Sequence, residues 1–305
     1  MTAAQAEGVR VRREPPARES EFTLVLAGGG ARGFAHVGVL RALEASGLRP
    51  AAIIGVSMGA VVAATYALNP DWYRLLVAMD TGVFPGPGSL GRAPDAHWLR
   101  RVITGLGSVR DMWTLVHGWG VGERAQPDAS ALLHELTQDM DLDEGRIPIA
   151  LCATDLRTGV RVVLEKGLAA DAAYASAALA GVVPPLEKDG YLLCDGAYAD
   201  LAPIDVARRF GPPTVIAVDL VQPLADGRIH NGFQALTRAV EICHLHHAEL
   251  RFQEADVVLR PHFRRPIGAL DFGAKRECIA AGVRAVHRRR AELLAAVQPA
   301  MRGSA

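Results

Sequence analysis

Apolar positions along this chain alternate between short continuous runs and longer stretches at helical spacing. Phe22 to Ala27 (FTLVLA) is a short, largely apolar run closed by glycines, which predicts a buried strand. Gly33 to Ser46 places Val37, Leu40, Ala42 and Leu43 at helical spacing and stops at Gly47. Ala51 to Ile54 then reads as a second strand and Met58 to Leu68 as a second helix. Strand, helix, strand and helix joined by short turns predict a three-layer α/β/α fold with a mainly parallel central sheet.

Further along, Ile147 to Asp155 and Val160 to Glu165 form a hairpin around Arg157-Thr158-Gly159. Ala169 to Ala180 is helical; Tyr191 to Cys194, Thr214 to Leu220 and Asp256 to Arg260 are strands. Helices are expected at Ile204 to Arg209 and Phe233 to Gln253, and one last helix from about Ala274 to Val297. Between them, Gly82 to Pro94 is rich in glycine and proline and leads into helical segments ending near Gln138. Trp98, Met112, Trp113, Leu115 and Trp119 fall in residues 82–122, which read either as a cap over a lipid site or as core under a loop. No internal repeat or linker separates two cores. The expected organisation is a flexible charged arm over 1–20, one catalytic domain over 21–261, and a C-terminal helical extension over 262–305 packed on that domain.

Composition narrows the function. The 305 residues carry 33 basic and 33 acidic side chains, so no global field favours nucleic acid, and no nucleic-acid partner is expected. Cys152, Cys194, Cys243 and Cys278 are widely spaced, and the reading is four buried small hydrophobes in a reducing, cytoplasmic setting with no metal site. Arg10, Arg12 and Arg13 precede Glu14-Pro15-Pro16 where a leader would need an apolar stretch, so no signal peptide is read. The uncharged run from Ala51 to Asn69 approaches the length of a membrane span, but Gly55, Ser57 and Gly59 interrupt it; strand, turn and buried helix explain it better.

Three turns carry candidate chemistry. Gly28-Gly29-Gly30-Ala31-Arg32-Gly33 matches the dinucleotide pattern G-x-G-x-x-G, yet the second strand ends in Ile53-Ile54-Gly55-Val56-Ser57 without the carboxylate a ribose would need. The glycines still offer unobstructed backbone N–H groups at a helix start, suited to an oxyanion, or they simply make a tight turn. Gly55-Val56-Ser57-Met58-Gly59 is G-x-S-x-G between strand and helix, where a strained turn lifts a serine hydroxyl clear of a sheet. Ser57 lies too near the start of the chain for an α/β-hydrolase, which places more strands ahead of its serine and a late histidine behind it. His36 reads as a packing residue, and His244, His246 and His247 as solvated or packed on a helix. Asp195-Gly196-Ala197 ends a strand and is the third turn.

In order and context these three motifs resemble the patatin-like phospholipase family, in its compact bacterial form. Ala153-Thr154-Asp155-Leu156, Ala175-Ser176-Ala177-Ala178, Pro184-Pro185 and Val215 to Asp219 extend the likeness over about residues 22–261. The resemblance implies Ser57 as nucleophile and Asp195 as its base. It also implies an oxyanion hole from Gly28, Gly29 and Gly30 with Arg32 nearby, shaped by the motif glycines Gly33, Gly55, Gly59 and Gly196. The implied activity is hydrolysis of lipid-type esters, of the phospholipase or lysophospholipase kind, without metal or other cofactor. The expected partner is a lipid or ester substrate, met in the cytoplasm with transient peripheral contact at the inner membrane face. Rival readings are a carboxylesterase or thioesterase on the same pair, or a silent regulatory module. Three departures bear on the pocket wall: Ala180-Gly181 where proline is common, DGA in place of DGG, and Asp200 where asparagine is common. An Asp of ordinary pKa, about 3.9, is a poor base for a hydroxyl, so the pair requires Asp195 to be buried.

Overall fold

Strands that are apolar on both sides must be covered on both sides, and the chain supplies helices for each face. The computed structural model describes residues 22–82, 119, 126–212, 214–224, 229 and 232–297, without the side chains of 232–234 and 237. The arm over 1–20 and nearly all of the 82–122 segment, with the cap-or-core question attached to it, lie outside the described residues.

The strands are β1 (Phe22–Leu26), β2 (Ala52–Val56), β3 (Ile149–Asp155), β4 (Arg161–Leu164), β5 (Leu186–Lys188), β6 (Tyr191–Asp195), β7 (Thr214–Val218) and β8 (Val257–Leu259). They pair along the path β5-β6-β3-β2-β1-β7-β8, with β4 also on β3. From β3 to β8 the pairs are parallel; β4, β5 and β6 join antiparallel, so the sheet is mainly parallel.

The helices are α1 (Phe34–Ala45), α2 (Met58–Leu68), α3 (Trp72–Ala78), α4 (Gln126–Thr137), α5 (Ala169–Ala177), α6 (Ile204–Phe210), α7 (Gly232–Arg251), α8 (Lys275–Arg288) and α9 (Arg290–Val297). Strand alternation sorts the core into two sides. Phe22, Leu24, Leu26, Ile53, Leu151, Ile216 and Val218 face α1, α2, α5 and α8. Val25, Ala27, Ile54, Val56, Ala150, Val215 and Ala217 face α6 and the end of α7. The result is three layers, with α2 buried on every side.

Several elements differ from expectation. The helix expected to reach Ala180 stops at Ala177, and the single last helix is broken at Arg289. Helix α3 and strand β5 were not foreseen: α3 is one short stretch beside a wholly apolar helix, and β5 (Leu-Glu-Lys) has no apolar alternation to show. Three of the cysteines are buried, whereas Cys243 is exposed on α7. His36 is fully buried; its Nε2 bonds the Ala27 carbonyl at 2.8 Å while Nδ1 has no partner, and burial pushes its pKa down to about 4.

Helix α8 crosses α1 at backbone contact distance. A Cβ on Gly282 would stand 2.0 Å from the Ala35 carbonyl oxygen, and one on Gly38 would stand 1.9 Å from that of Ile279. In both cases the atoms met are backbone, which cannot swing aside as the end of a side chain can. Gly282→Ala should therefore destabilise the protein by about 1–3 kcal/mol, as overpacking does, measured as a lowered midpoint in urea with an unchanged slope.

Candidate active site

One strand sets the site. Residues 151–154 of β3 pair with β4 on one edge. The opposite edge is shared: Ile149 to Cys152 pair with β2, and Ala153 to Asp155 pair with β6. Strand β2 runs up this edge and ends at Val56, opposite Cys152; β6 runs down it and ends at Asp195, opposite Ala153. The residues at which the two strands stop are thus neighbours, and Ser57 Oγ donates to Asp195 Oδ2 at 2.6 Å.

Ser57 has φ 56° and ψ −128°, a left-handed conformation that a non-glycine residue adopts only under constraint. The constraint is the abrupt passage from β2 into α2. Gly59 makes the passage possible, because a Cβ there would lie 2.2 Å from the Leu26 carbonyl oxygen. Gly55 sits beneath Ala60 in the same turn, and Gly196 passes against the Cys152 carbonyl.

Asp195 is held from several sides. Its Oδ1 accepts the Ala197 N–H at 2.9 Å, its own N–H donates to the Ala178 carbonyl at 2.9 Å, and its carbonyl accepts the Thr154 hydroxyl at 2.9 Å. Burial raises its pKa to about 6; the Ser57 and Ala197 hydrogen bonds pull the other way and lose. The Ser176 hydroxyl fills the notch between β2 and β3: it accepts the Ser57 N–H at 2.9 Å and donates to the Cys152 carbonyl at 2.6 Å.

The glycine turn lies beside Ser57. Gly30 takes φ +54°, and a Cβ there would meet the Ala269 carbonyl oxygen at 2.3 Å. The N–H groups of Gly29 and Gly30 find no acceptor among the described residues. Gly28 differs from the expectation that it is an oxyanion donor: its N–H already bonds the Leu201 carbonyl at 3.2 Å. Gly33 packs against Met58. Arg32 Nε donates to the Gly29 carbonyl at 3.2 Å, and burial lowers its pKa against the opposing pull of Glu241, Cys278 and Asp219.

Gly28, Gly29, Gly30, Arg32, Ser57 and Asp195 all line one cavity of about 360 Å³. Met58, Val61, Leu179, Val182, Ile267 and Phe272 are among its apolar walls, and α7 contributes Arg238, Glu241 and His244. Such an apolar cleft with few convergent polar groups suits a ligand with a hydrocarbon part. Among the described residues, no three His, Cys, Asp or Glu side chains group as metal ligands, and no helix is long and apolar enough to cross a membrane.

Two departures expected to touch this wall do not. Asp200 instead accepts from Arg161 and Arg251, which also bind Asp205, tying β4, α6 and the end of α7 together. Ala180 and Gly181 line a separate cavity of about 190 Å³, with the half-exposed Trp119 and Cys194. Sequence reasoning assigned no role to Ser176 or Thr154, although both fall in strings that carried the resemblance. It read His244 as a surface or packing residue. The only hint was its spacing from Arg238 and Glu241 on one helix face.

A family model described as patatin-like phospholipase matches residues 24–208. Patatin-like phospholipase domain-containing protein 6 of Homo sapiens is 32% identical over 201 residues, which are 65% of this chain and 13% of that protein. Lysophospholipase NTE1 of Saccharomyces cerevisiae is 31% identical over 215 residues, 69% of this chain and 12% of that one. The chain therefore spans less than a sixth of the length of these relatives. Among solved structures, VipD from Legionella pneumophila superposes with a TM-score of 0.49 at 13% identity, covering 91% of this chain and 67% of VipD.

Burial of two titrating groups gives a stability test. Unfolding returns His36 from about 4 to 6.5 and Asp195 from about 6 to 3.8. Acidification across that window protonates His36 only in the unfolded chain, which weakens the fold, and protonates Asp195 only in the folded chain, which strengthens it. Asp195→Asn removes the second effect. At neutral pH the variant should be more stable than wild type by on the order of 2–3 kcal/mol, the cost of the buried carboxylate. Its stability should then fall as pH drops from 6.5 toward 4, where the wild type changes little; denaturant midpoints at stepped pH measure both.

Proposed function

The chain belongs to the patatin-like phospholipase family, and from that premise we propose that it is a serine acyl-hydrolase of lipid-type esters acting through Ser57 and Asp195. The observation that carries the proposal is the 2.6 Å hydrogen bond from a strained, buried serine to a carboxylate whose pKa burial has raised to about 6. A base near neutrality can take a hydroxyl proton as the hydroxyl attacks, and still give it back.

The ester enters with its acyl chain along Met58, Val61 and Val182 and its carbonyl carbon over Ser57. As Oγ bonds to that carbon, its proton passes to Asp195 Oδ2, and the carbonyl electrons move onto oxygen. The Gly29 and Gly30 N–H groups, which have no acceptor in the described structure, stabilise the oxyanion. Collapse breaks the bond to the alcohol, which leaves with the proton from Asp195. Water then gives a proton to Asp195 and attacks the acyl-serine; release of the fatty acid returns the proton to Oγ. Ser176 and Thr154 do not touch the substrate and act as positioning residues, Ser176 on the Ser57 backbone and Thr154 on that of Asp195. The yeast relative is named as a lysophospholipase, which agrees with a lipid ester as substrate.

Ser57→Ala and Asp195→Asn should each lower kcat/KM on a lysophospholipid by roughly 10³-fold or more, and the double variant should be scarcely worse than either, because the two act as a unit. Near-wild-type turnover in Asp195→Asn, or losses that multiply, would remove the pair from the mechanism. In the wild type, kcat/KM should fall on the acid side with a midpoint at about 6, where Asp195 takes up its proton. Gly30→Val, which meets the Ala269 carbonyl and displaces an oxyanion donor, should reduce kcat on the order of 10²-fold, read by initial rates.

A further inference from the structure

The glycine turn beside Ser57 is covered by residues that lie far from it in sequence, and each of its two donor glycines has its own cover. A Cβ on Gly29 would meet Leu220 Cδ1 at 2.7 Å, and one on Gly30 would meet the Ala269 carbonyl oxygen at 2.3 Å. Leu220 stands just past the end of β7, and Ala269 stands in the loop between β8 and α8. Both lie beyond residue 208, where the match to the family model ends.

Two peptide planes decide where the Gly30 N–H points. The Gly29 carbonyl accepts from Arg32 twice, from the backbone N–H and from Nε, each at 3.2 Å. In a trans peptide the N–H points opposite to the carbonyl, so the Gly30 N–H is turned away from both of those donors. The next peptide is held from the other side: the Ala31 N–H donates to the Ala269 carbonyl at 2.7 Å. With both planes pinned, Gly30 stays at φ +54°, and the aim of its N–H depends on where residues 266–270 sit. One side chain ties those residues to the other cover. Gln222, in the same loop as Leu220, accepts the Ile267 N–H on Oε1 at 3.1 Å. An N–H faces only an acceptor, so the amide oxygen is the atom turned to Ile267. At their base the two loops are joined independently, by the Asp219 N–H on the Leu259 carbonyl and by Arg260 Nε on Asp219 Oδ2, both at 2.9 Å. Gln222 acts farther out, where both loops line the cavity of Ser57.

We infer that Gln222 is a positioning residue for the hydrolysis: it seats residues 266–270 on the glycine turn and so aims the Gly30 N–H at the oxyanion. The inference rests on the serine-hydrolase reading above. Gln222 works through the backbone of Ile267, Ala269 and Ala31, and it touches neither Ser57 nor the ester. The carbonyl oxygen of a bound ester carries little charge, whereas that of the tetrahedral intermediate carries a full one. A misaimed donor therefore costs rate far more than it costs substrate binding.

The test uses Gln222→Leu, which fills similar space without an acceptor, and Gln222→Asn, which keeps the amide on a shorter stem. The second is a polar change on a half-buried loop and carries the test if the first does not fold. On a p-nitrophenyl ester each variant should lower kcat on the order of tenfold and leave KM within about twofold. A trifluoromethyl ketone of the same acyl chain, which forms an oxyanion on Ser57, should lose affinity on the order of tenfold, while an ether analogue, which forms none, binds as before. In a Gly30→Val background, where the donor is already displaced, Gln222→Leu should cost less than about twofold more. A kcat within about twofold of wild type in the folded variants overturns the inference. So does a loss that multiplies with that of Gly30→Val, or a raised KM at unchanged kcat, which would make Gln222 a substrate contact. Equal weakening of ketone and ether overturns it as well, since that would mean a general collapse of the cavity. Ser57→Ala is assayed alongside. Retained turnover there sinks the hydrolase reading itself, whereas an inactive Ser57→Ala with unmoved Gln222 variants sinks only the positioning role.

Discussion

The site depends on one edge of one strand being divided between two partners. Strand β3 gives its first four residues to β2 and its last three to β6 on the same side, so these strands meet end to end. Side chains in a strand alternate faces, and a register shift of one residue would send the facing residues apart. Ser57 and Asp195 meet because Val56 and Asp195 are pinned opposite consecutive residues, Cys152 and Ala153. The gap where the strands abut leaves a backbone donor and acceptor that no ladder can satisfy, and the Ser176 hydroxyl closes it.

The same arrangement determines the electrostatics. A carboxylate at the junction of two strands, between helical layers, is almost wholly withdrawn from water, so its charged form is disfavoured. The few hydrogen bonds it accepts moderate that effect without reversing it. Both carboxylate oxygens of Asp195 are engaged, one by Ser57 and one by the Ala197 N–H, so the group is fixed in orientation while poised in charge. A site held this way is destabilising for the folded chain and useful for proton transfer.

Much of this was legible in the residues alone. The β1–α1–β2–α2 start, the nucleophile-type turn and the strand ending in Asp195 were readable because each depends on local rules: apolar runs, glycine punctuation and the length of turns. The pairing of Ser57 with Asp195 is not a local property, since 138 positions separate them and only the register of β3 joins them. It was reached through family likeness. Strand β5 was hidden because a three-residue Leu-Glu-Lys element leaves no period to detect, and helix α3 because its seven residues, apolar except for Arg74, show no polar face. Asp200 was read as pocket wall because its position relative to Asp195 was visible, whereas the two arginines that claim it come from β4 and α7. Gly28 was read as an oxyanion donor because a glycine run does not reveal which N–H the neighbouring loop has taken.

The contact of α8 with α1 bears on how the chain is made. Ribosomes deliver β1, α1 and β2 first, and the stretch that matches the family model has emerged by residue 208. At that moment the face of α1 around Gly38 still lacks the helix that packs backbone-close upon it, because Gly282 has not yet been synthesised. Strand β3 and its two same-edge partners, β2 and β6, precede that point in the chain, whereas β7, β8, α7 and α8 follow it. The residues that build the serine–aspartate junction are thus complete in sequence before those that cover α1 and extend the sheet past β1, so the cover of this layer is the part supplied last.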